Sequence, residues 1–374
     1  MKILYVGHYK ENSGWSQAAI DYISALDQNG FDVVCRNIKL TDVNSTVPER
    51  ILELESKKLT NIDYCIQHVL PHHLVATNKF KKNIAFFVGE SDSIKHTYWY
   101  QYLSKMDSVW VPNKTNRSAL LNDGIKSVNV VPHAFDMSKY KTDNRKKLNL
   151  YAANNKFKFY YIGDLNDRKN LIGIIRSFHS EFCHGENVCL VLKIKKHGVA
   201  ENQLTDMFQK FSHAIKTNLR LHKDPSMFAT EIVITANMSN SMIYDLHNTC
   251  DCFVNISHGE AWSIPAFEAM AMGNTPICSN EGGPNEFIDS DNLATGKLIN
   301  GVYSVCTYND PAFKETFTGR ENWFIPSELE TRKAMRYYYE NSSTINRSEG
   351  LIQAEKFSYN NIANKIKDIL NEQS

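Results

Sequence analysis

Two carboxylates and a proline stand close together in the second half of the sequence. Glu260 and Glu268 have seven residues between them, and Pro265 lies inside that interval. Proline suits the first turn of a helix, whose free backbone amides can then face an anion. A carboxylate accepts two hydroxyl hydrogen bonds at once. The spacing therefore predicts a phosphate-binding helix end with polyol hydroxyls bound on either side.

A basic pair precedes another predicted helix. Arg168 and Lys169 follow a predicted strand that ends at Gly163, and they stand just before a helix predicted over residues 170–183. Cations at such a place can bind an anionic ligand. An Arg-Lys pair before a helix is more often an ordinary surface feature. The position of this pair, after the first predicted strand of the second half, favours a ligand-binding role over a surface role.

Apolar residues alternate between the strand and helix periods from the start of the chain. Residues 1–7 and 31–38 predict strands, and residues 16–29 predict a helix that Gly30 ends. A strand, helix and strand in that order begin a parallel sheet. A second such series follows residues 139–156, a polar and basic stretch that marks a connection between domains.

These patterns predict an α/β protein with two doubly wound, Rossmann-like domains that face each other across a cleft. A chain of 374 residues also exceeds one ordinary core. We place the first domain at residues 1–150 and the second at residues 151–345. Residues 346–374 include an amphipathic helix that we expect to dock back on the first domain.

Composition indicates a globular, cytoplasmic protein. The chain is 42% hydrophobic and 22% charged, and its first apolar run is too short for a signal peptide or a membrane span. Its eight cysteines include no Cys-x-x-Cys pair, which favours a reducing compartment and argues against structural zinc. Residues 1–150 contain 20 Lys and Arg against 15 Asp and Glu, which gives +5, and the rest is −4. This mild excess hints at an anionic partner for the first half.

The stretch from His258 to Gly273 resembles the family-4 retaining glycosyltransferases of the GT-B fold. Their hallmark is two Glu separated by seven residues around a Gly-aromatic-Gly-(Leu/Ile)-Pro core, and Glu260 and Glu268 match that pair. Two neighbouring positions depart from the family, since Ala261 and Ser263 stand where glycines are usual. The resemblance implies that the first Glu contacts the transferred sugar and the second holds the ribose hydroxyls.

Further segments carry the same resemblance. Residues 160–171 are similar to the family's donor-phosphate loop, in which Arg and Lys clamp the diphosphate. The usual Arg position holds Asp164, so Lys169 is the firmer match. Residues 12–16 stand where the family has a Gly-rich loop, and residues 281–286 resemble a loop whose amides face the donor. The implied residues are Arg168, Lys169 and Glu260 for catalysis, Gly14, Trp15, Asn237, Ala261, Trp262, Ser263, Ile264, Pro265 and Glu268 for the donor, and His8, Ser16, Glu90 and His133 for the acceptor side.

The resemblance implies a transferase that moves a hexosyl or pentosyl group from a nucleotide-sugar, with UDP-sugar first, to a hydroxyl acceptor. A glycan, a phosphate-linked glycan and a hydroxylated base in nucleic acid all remain open as acceptors, and the first domain would bind them. A sugar-nucleotide epimerase and an inactive nucleotide-sugar-binding protein of the same fold are the alternatives. A dinucleotide oxidoreductase is disfavoured, because residues 7–14 lack Gly-x-Gly-x-x-Gly.

We expect no metal cofactor. Asp289-Ser290-Asp291 spells a metal-binding motif of another glycosyltransferase fold, but a solvated turn is the better interpretation. The histidines at 68, 72 and 73 lack partners at ligand spacing, which favours a surface or acceptor loop. His133 fits an acceptor-side role and a buried, hydrogen-bonded histidine equally well.

Overall fold

The computed structural model describes residues 1–11, 13–41, 45–141, 145–308, 313 and 316–372. Asn12, in the predicted Gly-rich loop, and residues 142–144, in the predicted connection, lie outside them. The chain divides into two compact units. Unit 1 comprises Met1–Met137, Val305–Trp323 and Glu355–Ser374, and unit 2 comprises Ser138–Ser304 and Phe324–Ala354.

The described part of unit 1 contains a parallel six-stranded sheet. Its strand order is β2-β1-β3-β4-β5-β6, so the chain moves outward from β1 in both directions. Helices connect the strands, as the alternating apolar pattern predicts. The strands are β1 (Lys2–Gly7), β2 (Asp32–Asn37), β3 (Tyr64–His68), β4 (Lys82–Phe86), β5 (Ser108–Val111) and β6 (Val128–Val130), and the helices are α1 (Gly14–Gln28), α2 (Glu49–Ser56), α3 (Tyr100–Leu103) and α4 (Lys114–Asn122).

The described part of unit 2 contains a second sheet of the same kind, with the order β12-β11-β10-β7-β8-β9. Buried apolar residues of β7 and β8 pack against α5, α6 and α10 to form the core of the unit. The strands are β7 (Phe157–Asp164), β8 (Val188–Lys195), β9 (Thr230–Ile234), β10 (Cys252–Asn255), β11 (Ile277–Ser279) and β12 (Lys297–Ile299). The helices are α5 (Leu171–Glu181), α6 (Glu201–Leu219), α7 (Asn240–Thr249), α8 (Ile264–Ala271), α9 (Pro284–Phe287), α10 (Glu328–Asn341) and α11 (Ser348–Ala354).

The unit bounds differ from those that we predicted. The first unit ends at Met137 because the following polar segment bonds to α7 of unit 2, where Lys146 N–H donates to Asp245 and Leu148 N–H donates to Thr249. A two-stranded sheet of β13 (Gly301–Val305) and β14 (Asn322–Pro326) precedes α10.

The last helix, α12 (Tyr359–Glu372), belongs to unit 1. Ile362, Ile366 and Leu370 form its buried face, and it packs against α1. The Tyr359 hydroxyl donates a hydrogen bond to Asp21 on that helix. Among the described residues, no helix combines the length and the apolar character that crossing a membrane requires.

Candidate functional site

The predicted basic pair and the predicted carboxylates follow neighbouring strands of the second sheet. β7 leads to Lys169 and β10 leads to Glu260, and the two strands are adjacent and parallel. Both segments therefore emerge at the same edge of the sheet. β8 lies on the other side of β7, so the chain order reverses between β10 and β7. Open α/β sheets bind their ligands at such a switch point.

A buried ion pair joins these two segments. Lys169 Nζ donates a hydrogen bond to Oε2 of Glu260, and Arg168 Nη1 lies 3.8 Å from the same oxygen. The three side chains are only 10% to 16% exposed. Arg168 also donates to the Gly259 carbonyl at 2.7 Å, and its own carbonyl accepts from the His258 N–H at 2.8 Å. Two cations around one carboxylate thus give this group of three side chains a net positive charge.

Glu260 is ionised in these surroundings. Burial by itself would raise the pKa of its carboxyl, but Lys169, Arg168 and a hydrogen bond from Asn255 outweigh burial, so the pKa lies below its ordinary value. The carboxylate therefore holds the lysine in place, and a diphosphate of higher charge could compete for it.

Ser263 has a left-handed backbone, with φ of 70° and ψ of 69°, at the residue before α8. Glycine takes this conformation without strain, whereas another residue costs about 1–2 kcal/mol. The serine is held there by Asn255, whose Nδ2 donates to Ser263 Oγ at 2.8 Å and lies 3.4 Å from Glu260 Oε2. The substitution of a usual glycine therefore preserves the turn and ties it to Glu260.

Gly282 and Gly283 let a second loop lie directly on the Glu260 loop. Gly283 N–H donates to the Glu260 carbonyl at 2.9 Å. A Cβ on Gly283 would lie 2.2 Å from the Cα of Trp262, and one on Gly282 would lie 2.0 Å from the Glu260 carbonyl oxygen. Both positions therefore require glycine.

Glu268 lies on α8 and is 9% exposed. Its Oε2 is 3.6 Å from Nε2 of His247, whose side chain is fully buried. Unlike Glu260, this carboxylate has no cation paired with it among the described residues, so its acceptor capacity is available to hydroxyl groups.

Part of the chain matches the model of a known protein family. Residues 141–316 match the model of the family described as glycosyl transferases group 1. This segment resembles a group 1 glycosyl transferase domain. No curated protein matches it in sequence.

Several solved structures share the fold of this chain. HepE of Anabaena, in complex with UDP-glucose, is 14% identical with a TM-score of 0.63, and each chain is covered completely. Sucrose-phosphate synthase of Thermosynechococcus elongatus is 13% identical, with a TM-score of 0.66 and coverage of 100% of this chain and 99% of that one. A glycosyltransferase of Rickettsia africae is 14% identical, with a TM-score of 0.62 and coverage of 99% and 98%. The predicted GT-B fold is confirmed, and residues 141–316 match the predicted glycosyltransferase family.

The structure does not bring together all of the remaining residues that we predicted for the donor side. Ala261 and Trp262 are buried in the Glu260 loop, where the Trp262 ring packs 5.5 Å from Phe287. Ile264 and Pro265 form the half-buried first turn of α8. Asn237 follows the edge strand β9, is exposed, and donates its N–H to Glu201 at 2.8 Å, away from the Lys169–Glu260 pair. Their binding roles stay predictions.

In unit 1, several predicted residues gather where β1 and β3 lie side by side. Gly14 begins α1 and is exposed, while the half-buried Trp15 donates from Nε1 to the His68 carbonyl at 3.3 Å. Ser16 is buried and its hydroxyl donates to the Tyr9 carbonyl at 2.7 Å. Glu90 is half-buried and follows β4 at a separate point of the sheet.

His8 and His133 are buried members of a hydrogen-bonded core in unit 1. His8 Nδ1 lies 2.7 Å from the Ile38 carbonyl, and its Nε2 accepts from the Leu70 N–H at 3.1 Å, so both nitrogens are engaged. His133 Nδ1 lies 3.1 Å from the Tyr22 hydroxyl. Burial lowers the pKa of His8, and lowers that of His133 to about 3, so both rings are neutral at pH 7. Their acceptor-side role stays a prediction.

Sequence reasoning missed four supporting residues. Asn255 lies 3.4 Å from Glu260 and His247 lies 3.6 Å from Glu268, while Tyr160 and Asn274 bond to His247. Asn255 could have been proposed, because a polar residue at the end of a buried strand leads directly into the Glu260 loop. The others carry no local signal.

The described residues contain no group of three or more His, Cys, Asp or Glu arranged to hold a metal ion. Asp289 and Asp291 form a local turn, in which the Asp291 N–H donates to Asp289 Oδ1 at 3.1 Å. His72 lies against Tyr98, with ring centroids 6.0 Å apart, and His73 lies 5.8 Å from the ring of His8. Metal independence stays a prediction.

Proposed function

We propose that this glycosyl transferase moves a sugar, with retention of configuration, from a nucleotide-sugar to a hydroxyl acceptor. The observation that carries the proposal is the buried Lys169–Glu260 pair, with Arg168 beside it, at the switch point of the second sheet. A UDP-sugar is the first candidate donor, since HepE, which shares the fold, has been solved with UDP-glucose. Hexosyl transfer and pentosyl transfer both fit this arrangement.

Lys169 and Arg168 would stabilise the negative charge that develops on the leaving group. As the bond from the anomeric carbon to the diphosphate stretches, the leaving group gains negative charge. Lys169 and Arg168 would receive that charge, and a preorganised donor of this kind contributes about 3–4 kcal/mol in the transition state. Glu260, held by the same lysine, would contact the transferred sugar, and Glu268 would accept the ribose hydroxyls.

Retention follows if the acceptor attacks from the face that the diphosphate leaves. The acceptor oxygen then forms its bond to the anomeric carbon as the bond to the diphosphate breaks, and a diphosphate oxygen takes the acceptor proton. Since Glu260 is paired with Lys169, it is poorly placed as a free nucleophile, which supports this route over a covalent intermediate.

The acceptor would be bound by unit 1. The half-buried Trp15, beside His68 at the β1 and β3 ends, offers an aromatic face, which suits the apolar face of a sugar ring. The +5 excess of residues 1–150 favours an anionic acceptor, such as a phosphate-linked glycan or a nucleic acid with a hydroxylated base. All eight cysteines are free thiols, which supports a reducing, cytoplasmic location.

Donor binding is tested by thermal shift with a nucleotide panel. A ligand that binds only the folded protein raises its melting temperature. At a ligand concentration of about one hundred times Kd, the free energy of unfolding increases by about 2.7 kcal/mol. We expect UDP and UDP-sugars to raise it and NAD to leave it unchanged. A response to NAD with none to any sugar nucleotide would contradict the proposal. Donor consumption without an acceptor would instead favour the epimerase.

Chelation tests whether a metal assists the leaving group. Because Lys169 and Arg168 are placed to receive the diphosphate charge, we expect transfer rates in EDTA to stay within about twofold of the untreated rate. The measurement is product formation at saturating donor, before and after EDTA and again after added Mn²⁺. Loss of transfer on chelation with recovery in Mn²⁺ would return Asp289 and Asp291 to consideration.

A further inference from the structure

A buried histidine stands behind the carboxylate of Glu268. His247 lies on α7 in unit 2, its side chain is fully buried, and its Nε2 is 3.6 Å from Glu268 Oε2. This nitrogen has no hydrogen-bond partner among the described residues. Buried polar atoms nearly always have a partner, so an unpartnered one aimed at a carboxylate calls for a reason.

Neighbouring groups fix which ring nitrogen of His247 carries the proton. The Asn274 amide nitrogen donates to the His247 carbonyl at 2.6 Å, and the same nitrogen donates to the Tyr160 hydroxyl at 2.8 Å. The carbonyl can only accept, so the amide cannot be reversed. The Tyr160 oxygen accepts from Asn274, and its hydroxyl proton has no other acceptor among the described residues than His247 Nδ1 at 2.6 Å, so we assign the hydroxyl as donor to that nitrogen.

The hydrogen bond at Nδ1 determines the protonation of Nε2, on the other side of the His247 ring. A neutral imidazole that accepts at Nδ1 carries its hydrogen on Nε2. That hydrogen faces the Glu268 carboxylate, at a separation slightly beyond ordinary hydrogen-bond length. Hydrogen bonds in a binding site are often long without substrate and shorten in the complex.

We propose that His247 is a positioning residue for donor recognition, an inference that rests on the function proposed above. His247 holds Oε2 of Glu268, which leaves Oε1 to accept the two ribose hydroxyls of the donor. The Glu268 side chain is buried and pairs with no lysine or arginine among the described residues, so the imidazole is the group that sets its rotamer. Tyr160 and Asn274 act one step further back, by keeping the hydrogen on Nε2.

The experiment measures binding of UDP and of 2′,3′-dideoxy-UDP by calorimetry to three proteins: the native chain, His247→Leu and His247→Gln. Loss of one charge-assisted hydrogen bond is expected to weaken UDP binding by about tenfold in His247→Leu. Binding of 2′,3′-dideoxy-UDP, which lacks the ribose hydroxyls, should be unchanged, and this also reports that the variant is folded. His247→Gln, whose amide can place an N–H near the position of Nε2, should keep most of the preference for UDP.

The outcomes separate this inference from the proposed function. Native-like UDP binding by His247→Leu would overturn the positioning role, and so would an equal loss for both nucleotides, because a general packing defect does not distinguish ribose hydroxyls. In either case the native chain would still bind UDP and the proposed function would stand. If the native chain binds no uridine nucleotide, the proposed function and this inference both fail.

Discussion

Lys169→Ala is expected to lower the turnover number of sugar transfer by about two orders of magnitude. The lysine is the cation nearest to the carboxylate at the switch point, and it is 16% exposed, so solvent cannot replace its charge when the leaving group becomes negative. Removal of one preorganised charge-stabilising donor typically costs a factor of about 100 to 1000 in turnover. The measurement is initial rate at saturating donor and acceptor.

The matched control is Lys195→Ala in the same unit. Its side chain is 60% exposed and its Nζ lies 3.9 Å from Asp164 Oδ1, so removal of the side chain should change turnover by less than about twofold. Equal effects of the two substitutions would show that loss of any positive charge, rather than the buried one, explains the result.

A structural effect of Lys169→Ala must be separated from the catalytic one. Removing one partner of a buried ion pair leaves the other charge poorly compensated, which typically costs about 3–5 kcal/mol, although Arg168 at 3.8 Å offsets part of this here. The double variant Lys169→Ala with Glu260→Gln removes the orphaned charge. It should regain stability without regaining turnover. Recovery of turnover together with stability would contradict a direct role of the lysine.

The order of elements could be predicted because it is encoded locally. Alternating strand and helix periods occur in both halves, and short parallel connections permit few topologies. Thus β7, the basic pair and α5 were expected in that order, as were β10, the Glu260 loop and α8. Since adjacent parallel strands bring their following loops to one edge, the meeting of Lys169 and Glu260, 91 residues apart, also follows from the fold.

Contacts that depend on shape could not be predicted. Nothing near His247 in sequence indicates that Glu268 packs against it, because the contact requires α7 and α8 to lie on the same face of the sheet. The departure at Ser263 is similar. Its left-handed backbone and its hydrogen bond from Asn255 explain how a serine keeps a turn that usually needs glycine. The amino-acid sequence indicates neither of them.

The unit bounds were missed for a related reason. Composition marks where a chain becomes polar, but it does not say which unit a polar segment bonds to. Val305–Trp323 belongs to unit 1, where Asn322 donates from both its backbone and its side chain to Asp92. A contact between residues 230 positions apart has no counterpart in a local pattern.

Gly283→Ala is expected to abolish most sugar transfer, with a loss of at least about 100-fold in kcat/KM for the donor. The new Cβ would lie 2.2 Å from the Cα of Trp262 and 2.6 Å from the Ala261 carbonyl oxygen. Backbone atoms cannot turn aside as a flexible side chain can, so the two loops must separate. The hydrogen bond from the Gly283 N–H to the Glu260 carbonyl would then lengthen or break.

The large expected loss of activity in Gly283→Ala follows from the groups that the Glu260 loop positions. Glu260 shares its loop with Ser263 and α8, so a shift of about 1 Å moves the carboxylate, the lysine bound to it and the start of the helix together. Misplacement of that size can cost about 100-fold in rate. Overpacking of a core site typically costs only about 1–3 kcal/mol in stability, so the chain should remain folded while it loses activity.

Gly185→Ala is the matched control for this last substitution, because a Cβ there meets nothing within 4 Å. Its melting temperature and kcat/KM should equal those of the native chain. For Gly283→Ala, circular dichroism and thermal melting report folding, while UDP binding and transfer report the site. A folded Gly283→Ala protein with native kcat/KM would mean that the Glu260 loop tolerates displacement. The buried Lys169–Glu260 pair would then be a structural feature of the sheet edge, and the charge that drives leaving-group departure would have to come from elsewhere in the unit.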